Sequence, residues 1–152
     1  MSFIENRVPP PMVMILCALL MWFVARSYGG DTFGDWRYWL GGSMMAAGVA
    51  SAVTGLLAFA KAKTTPNPIK ISAVSALVTG SIYLFTRNPM YLGLVIVLLG
   101  FAVLLGHVWL VIGPALFGLF ILRFQIMPEE RVMREKFGAD YYAYCARVRR
   151  WI

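Results

Sequence analysis

The sequence predicts an all-α polytopic membrane protein, and three observations carry that expectation. Of its 152 residues 60% are hydrophobic and only 14% are charged, too apolar a balance for an ordinary soluble domain. Three stretches hold no Asp, Glu, Lys or Arg: Val8 to Ala25, Trp39 to Ala60 and Pro89 to Leu122. A membrane span needs about 20 such residues. The third stretch, as a single helix, would reach about 51 Å, well past a hydrocarbon core of about 30 Å. It must fold back on itself, and Gly106 and His107 are the turn residues inside it.

The elements follow in order. Pro9, Pro10 and Pro11 pre-set a helix start, because a proline in the first turn gives up an N–H that has no partner there. The first helix is expected over about 9–28 as a retained span; an acid before it and no small-residue cleavage site argue against a signal peptide. The run GGDTFGDW reads as a turn, and Trp36, Tyr38 and Trp39 as an interfacial aromatic belt opening a second helix over about 36–60. That helix carries Gly41, Gly42, Gly48, Gly55 and several Ala and Ser residues, a surface that lets a neighbouring helix approach closely. The returning hairpin is expected as helices of about 89–105 and 108–126. Between the second and third helices, Pro66 and Pro68 break the chain, and Ile71 to Phe85 is apolar but only about 15 residues long. It reads as a re-entrant or interfacial segment, or as a fifth span. After Leu122, Pro128 with Glu129 and Glu130 reads as a new helix start. Met133, Phe137, Tyr141, Tyr144, Val148 and Trp151 recur at helical spacing, giving an interfacial amphipathic tail broken at Gly138. The whole chain, 1–152, is expected to be one membrane-embedded domain, with site segments at about 64–91 and 123–152.

Charge sets the expected orientation. With an even number of spans both termini share a side, and all of the 14 Lys and Arg except Arg26 and Arg37 fall on it. Lys and Arg collect in short cytoplasmic loops, so both ends are expected in the cytoplasm, with the protein in the cell inner membrane. The net charge of +7 suits anionic lipid headgroups better than nucleic acid. Cys17 and Cys145 lie far apart and are expected to be free thiols. No metal site is expected.

The chemistry-bearing residues gather at the ends of the hairpin. Arg87, Asn88, Pro89 and Tyr91 stand at the start of the third helix, and Arg123, Glu129 and Glu130 at the end of the fourth. Axes of packed helices lie about 8–10 Å apart, so one small polar ligand could touch both groups. Singly, the glutamates could serve only a helix dipole and the arginines only as snorkelling anchors. His107, the only histidine, is expected at the far end of the hairpin as a turn residue.

The string TRNPMYLG, followed after a hydrophobic hairpin by PEERVMREKFGADYYAYCARVRRWI, resembles the isoprenylcysteine carboxyl methyltransferase and phospholipid methyltransferase superfamily. The resemblance covers roughly the C-terminal half, from Leu77 onward. It rests on Arg87, Asn88, Pro89, Tyr91 and Gly93, then Glu129 and Glu130, then Phe137, Gly138, Tyr141 and Tyr144. Two departures stand out: the segment before the motif reads VTGSIYLF, with Leu84 where the family carries Arg, and the family's usual Val-Pro-Arg near the end is VRR here.

The resemblance implies an integral membrane enzyme that uses S-adenosylmethionine. It implies cofactor contacts at Leu77, Val78, Thr79, Tyr83, Arg87, Asn88, Pro89, Tyr91, Gly93, Glu129, Glu130 and Tyr141, with Arg123, Glu130 and Tyr91 as catalytic candidates. The residue chemistry agrees, since a glutamate suits the cofactor's ammonium or ribose hydroxyls and Arg87 or Arg123 suits its carboxylate. The acceptor is expected to be a lipophilic small molecule or lipid. With no His or Lys placed to deprotonate an amine, an isoprenylcysteine-type carboxylate or a thiol is favoured over a phospholipid amine. A small four-helix transporter is the rival from another class, but such proteins keep an ionisable residue in mid-membrane, and these spans hold none.

Overall fold

The computed structural model describes residues 8–28, 33–64 and 75–152. Its helices are α1 (Pro10–Tyr28), α2 (Trp36–Lys61), α3 (Pro89–Leu105), α4 (Ile112–Ile121) and α5 (Met127–Arg147). Short 3₁₀ turns at Ser81–Leu84 and Val108–Val111 precede α3 and α4, and a π-helical turn over Leu122–Ile126 joins α4 to α5. No strand occurs among the described residues. This is an integral membrane protein, with α1, α2 and the 108–147 helix long and apolar enough to cross a bilayer. The fourth apolar helix, α3, has 17 residues, about 25 Å, which is the lower limit for a span.

The hairpin turn falls where the sequence places it. Gly106 ends α3 in the left-handed conformation at φ 79° and its N–H bonds the carbonyl of Val103, a geometry glycine adopts without a Cβ penalty. His107 follows in extended conformation, buried and packed against the ring of Trp109. Residues 75–80 carry no regular element and Ser81–Leu84 form one 3₁₀ turn, so the described part of this stretch is not a fifth span. Positions 71–74 of that expected segment, and Pro66 and Pro68, lie outside the described residues.

α3 is the central helix. Against α2 it packs through glycines: a Cβ on Gly41 would stand 2.7 Å from the carbonyl oxygen of Gly100, and one on Gly48 would stand 2.6 Å from that of Gly93. Lipid supplies no hydrophobic drive between helices, so such close backbone approach is what holds the pair. On its other side α3 joins α1 and α4 around Met21, Leu98, Ala102, Phe117 and Ile121. The outer faces of α1, α2 and α4 expose Leu19, Phe23, Leu57, Leu116 and Leu119, as helices facing acyl chains should.

The tail differs from its sequence expectation in one respect. Pro128 does not open a separate helix, because the helical chain runs on from α4 through the π turn into α5. A proline inside a helix lacks the N–H for the i−4 carbonyl and its ring crowds that carbonyl. The widened turn just before Pro128 supplies the slack. The break at Gly138 is present: its φ of 46° and ψ of −121° kink α5 into two arms.

Candidate active site

The site forms where the start of α3, the start of α5 and the C-terminal residues meet. Pro89 sits at the first positions of α3 and Asn88 precedes it at φ −132° and ψ 54°, outside the α region that a following proline disfavours. This puts Tyr91 one half-turn into α3, buried, where its hydroxyl donates a hydrogen bond to Glu129 Oε1. Arg87, whose side chain is 13% exposed, pairs with Glu130 at 3.5 Å and donates through Nη1 to Cys145 Sγ. Two groups that are far apart in the sequence are thus brought together as expected.

The two glutamates are adjacent in sequence but differ in environment. Glu130, 4% exposed, accepts a two-point fork from Arg150, Nε at 2.9 Å and Nη2 at 2.8 Å, and a further bond from Arg134 at 3.0 Å. Burial pushes its carboxyl up, but the Arg150 bond and the charges of Arg150, Arg87 and Arg134 outweigh that and hold it below the ordinary carboxylate range. At Glu129 loss of water raises the carboxyl, the Tyr91 bond offsets part of this and the Glu130 charge adds to it, leaving it at about 7. Glu130 is saturated by cations, whereas Glu129 has acceptor capacity left.

Around this core lies an aromatic wall. Tyr83, Tyr141, Tyr144 and Val148 form a buried cluster on which Leu77, Val78 and Phe137 pack, and Thr79 lies half-buried in the same segment. Tyr144 donates its hydroxyl proton to the carbonyl of Tyr83 at 2.7 Å. Asn88 does not cap α3; its Nδ2 donates to the carbonyl of Arg150 at 3.0 Å. Two expected site residues stand elsewhere. Gly93 serves the α2 contact, where a Cβ would come within 2.9 Å of the Ala52 nitrogen. Arg123 is exposed, with its guanidinium 5.4 Å over the ring of Phe124.

Arg150 is the member of this cluster that sequence reasoning missed. The signal was the VRR run at 148–150, where the resemblance implied Val-Pro-Arg.

At the site one buried donor is left over: among the described residues Nε of Arg87 has no hydrogen-bond partner. A guanidinium nitrogen without an acceptor suits a carboxylate, and a glutamate with spare lone pairs suits an ammonium, the two charged groups of an α-amino acid zwitterion. The methionine part of S-adenosylmethionine is such a group, so the residues present fit the cofactor.

The sequence matches the phospholipid methyltransferase family over residues 36–140. The chain belongs to the phospholipid methyltransferase family. Members of the phospholipid methyltransferase family are membrane methyltransferases that generally use S-adenosylmethionine. The match includes Arg87, Tyr91, Glu129 and Glu130 and ends before Arg150. An uncharacterized protein of Haemophilus influenzae is 41% identical over 63 residues, which is 41% of this chain and 100% of that protein. No solved structure matches the chain significantly.

Proposed function

We propose that this phospholipid methyltransferase family member binds S-adenosylmethionine at the Arg87, Tyr91 and Glu129 cluster and transfers its methyl group to a lipophilic acceptor. The observation that carries the reading is the Nε of half-buried Arg87, which has no hydrogen-bond partner among the described residues, one helical turn before the Tyr91 that donates to Glu129. In this reading Arg87 takes the cofactor's carboxylate and Glu129 takes its ammonium or a ribose hydroxyl. When bound, the cofactor supplies an electrophilic methyl on a sulfonium. The chain's part is alignment and exclusion of water, to which the Tyr83, Tyr141 and Tyr144 wall contributes. Both termini are taken to face the cytoplasm, where the cofactor is available, and the acceptor to enter from the inner membrane between helices.

For the acceptor, a carboxylate of isoprenylcysteine type needs no proton removed and so asks nothing further of the site. A phospholipid amine is the second reading, favoured by Glu129: a carboxyl raised to about 7 is matched to taking a proton near neutral pH. Purified protein should first bind S-adenosylmethionine in calorimetry without any acceptor; no binding would reject the enzyme reading in favour of a transporter. Labelled methyl transferred in membrane extract then separates the acceptors. Base-labile label indicates a methyl ester, and base-stable label an N-methyl lipid.

A further inference from the structure

The chain's last residues turn back and lie across the site. α5 ends at Arg147, Val148 is extended at φ −123° and ψ 130°, and its side chain is buried with Tyr83, Tyr141 and Tyr144. The carbonyl of Arg149 accepts from the N–H of Arg87 at 3.0 Å. The carbonyl of Arg150 accepts from Asn88 Nδ2 at 3.0 Å and from Thr86 Oγ1 at 3.3 Å. Trp151 packs on the core cluster that includes Tyr91 and Ile126. These ties run to the motif segment itself.

Arg150 joins two of these connections in one residue. Its carbonyl holds segment 86–88 and its guanidinium forks onto Glu130, 20 positions earlier. Successive residues on a helix point about 100° apart, so fixing the direction of Glu130 also fixes that of Glu129. We propose that Arg150 is a positioning residue: by clamping Glu130 and the 86–88 segment together it sets the rotation of the first turn of α5, and through it the alignment of Glu129 with Tyr91 and Arg87. This rests on the cofactor reading above. Arg150 itself touches neither cofactor nor acceptor in this account. A planar two-point fork is something lysine cannot reproduce, so geometry and charge can be separated experimentally.

The test is calorimetric S-adenosylmethionine affinity across pH for the full-length detergent-purified protein, with Arg150→Ala, Arg150→Lys and the exposed Arg134→Ala as a charge-matched comparison. Misplacing a binding group by a fraction of an ångström to an ångström weakens a site strongly, so both Arg150 variants should lose about tenfold or more in affinity, and Arg134→Ala should lose much less. With the fork gone the Glu130 charge is less neutralised, and the acid limb of the affinity profile should move to higher pH. A purely structural role would lower the thermal midpoint without moving that limb. If Arg150→Ala does not fold, Arg150→Lys, which keeps the charge but not the fork, decides by its affinity: a tenfold loss in a variant with a wild-type thermal midpoint supports the inference, and wild-type affinity overturns it. Wild-type affinity and an unmoved limb in a folded variant overturn the inference alone. Absence of binding by the wild-type protein overturns the cofactor reading and this inference with it.

Discussion

The hydroxyl of Tyr91, in the first turn of α3, donates to the carboxylate of Glu129, 38 positions later at the start of α5. That bond closes the hairpin at the motif end and is the lowering influence on a carboxyl otherwise pushed up by burial. Removing the phenol leaves a desolvated carboxylate short of a donor, a loss of about 1–3 kcal/mol. Tyr91→Phe should therefore lower the thermal midpoint in detergent and weaken S-adenosylmethionine binding. Unchanged values for both would deny the bond a role.

Glu129 predicts a pH dependence. Its carboxyl stands at about 7 in the folded protein against an ordinary 4.5, so the folded state holds a proton that the unfolded chain has already released. This group therefore favours folding at low pH, and its contribution falls as pH rises from about 4.5 through about 7. Cofactor affinity should run the other way, strengthening on the acid limb as Glu129 ionises through about 7. Glu129→Gln should erase that limb. A limb that persists in the variant would assign it to another group.

Glu130 predicts the opposite sign. Its carboxyl is held below the ordinary range by Arg150, Arg87 and Arg134, so its stabilising contribution is present above the unfolded value and is lost on acidification through the folded one. Glu130→Gln removes the buried acceptor charge on which Arg87, Arg134 and Arg150 converge. Thermal melts of Glu130→Gln against pH should show a lower midpoint at neutral pH and convergence with wild type in acid.

The α2–α3 contact predicts a glycine contrast. A Cβ at Gly48 would meet the Gly93 carbonyl oxygen at 2.6 Å, whereas a Cβ at Gly42 would meet nothing within 4 Å. Overpacking costs about 1–3 kcal/mol, so Gly48→Ala should be clearly destabilising and Gly42→Ala close to neutral. Thermal unfolding of the two variants side by side checks this. Equal midpoints would mean the helices are held by something other than backbone proximity.

Topology offers a fifth check. The four apolar helices and the hairpin turn at Gly106 put Arg87 and Glu129 at one end of the bundle. Reporter fusions after 87 and after 129 should report the same side of the membrane, and the proposed orientation makes that side the cytoplasm.

Much of the fold was legible in the sequence because it is local. A run without charges must be buried in lipid, a run of 34 such residues is too long for one crossing, and Gly106 is the residue within it that turns without strain. The meeting of Arg87 and Tyr91 with Glu129 and Glu130 followed from that turn. Tertiary structure decided how these residues are shared out. Adjacent helical residues face different neighbours, and only the packed chain shows that Glu130 looks onto three arginines while Glu129 looks onto a tyrosine. It also brought Arg150 into the cluster, left Arg123 on the surface beside Phe124, spent Gly93 on the α2 contact and carried the helix through Pro128. Hydropathy and turn chemistry are read along the chain, whereas the partner of a buried charge is chosen by whichever distant segment folds beside it.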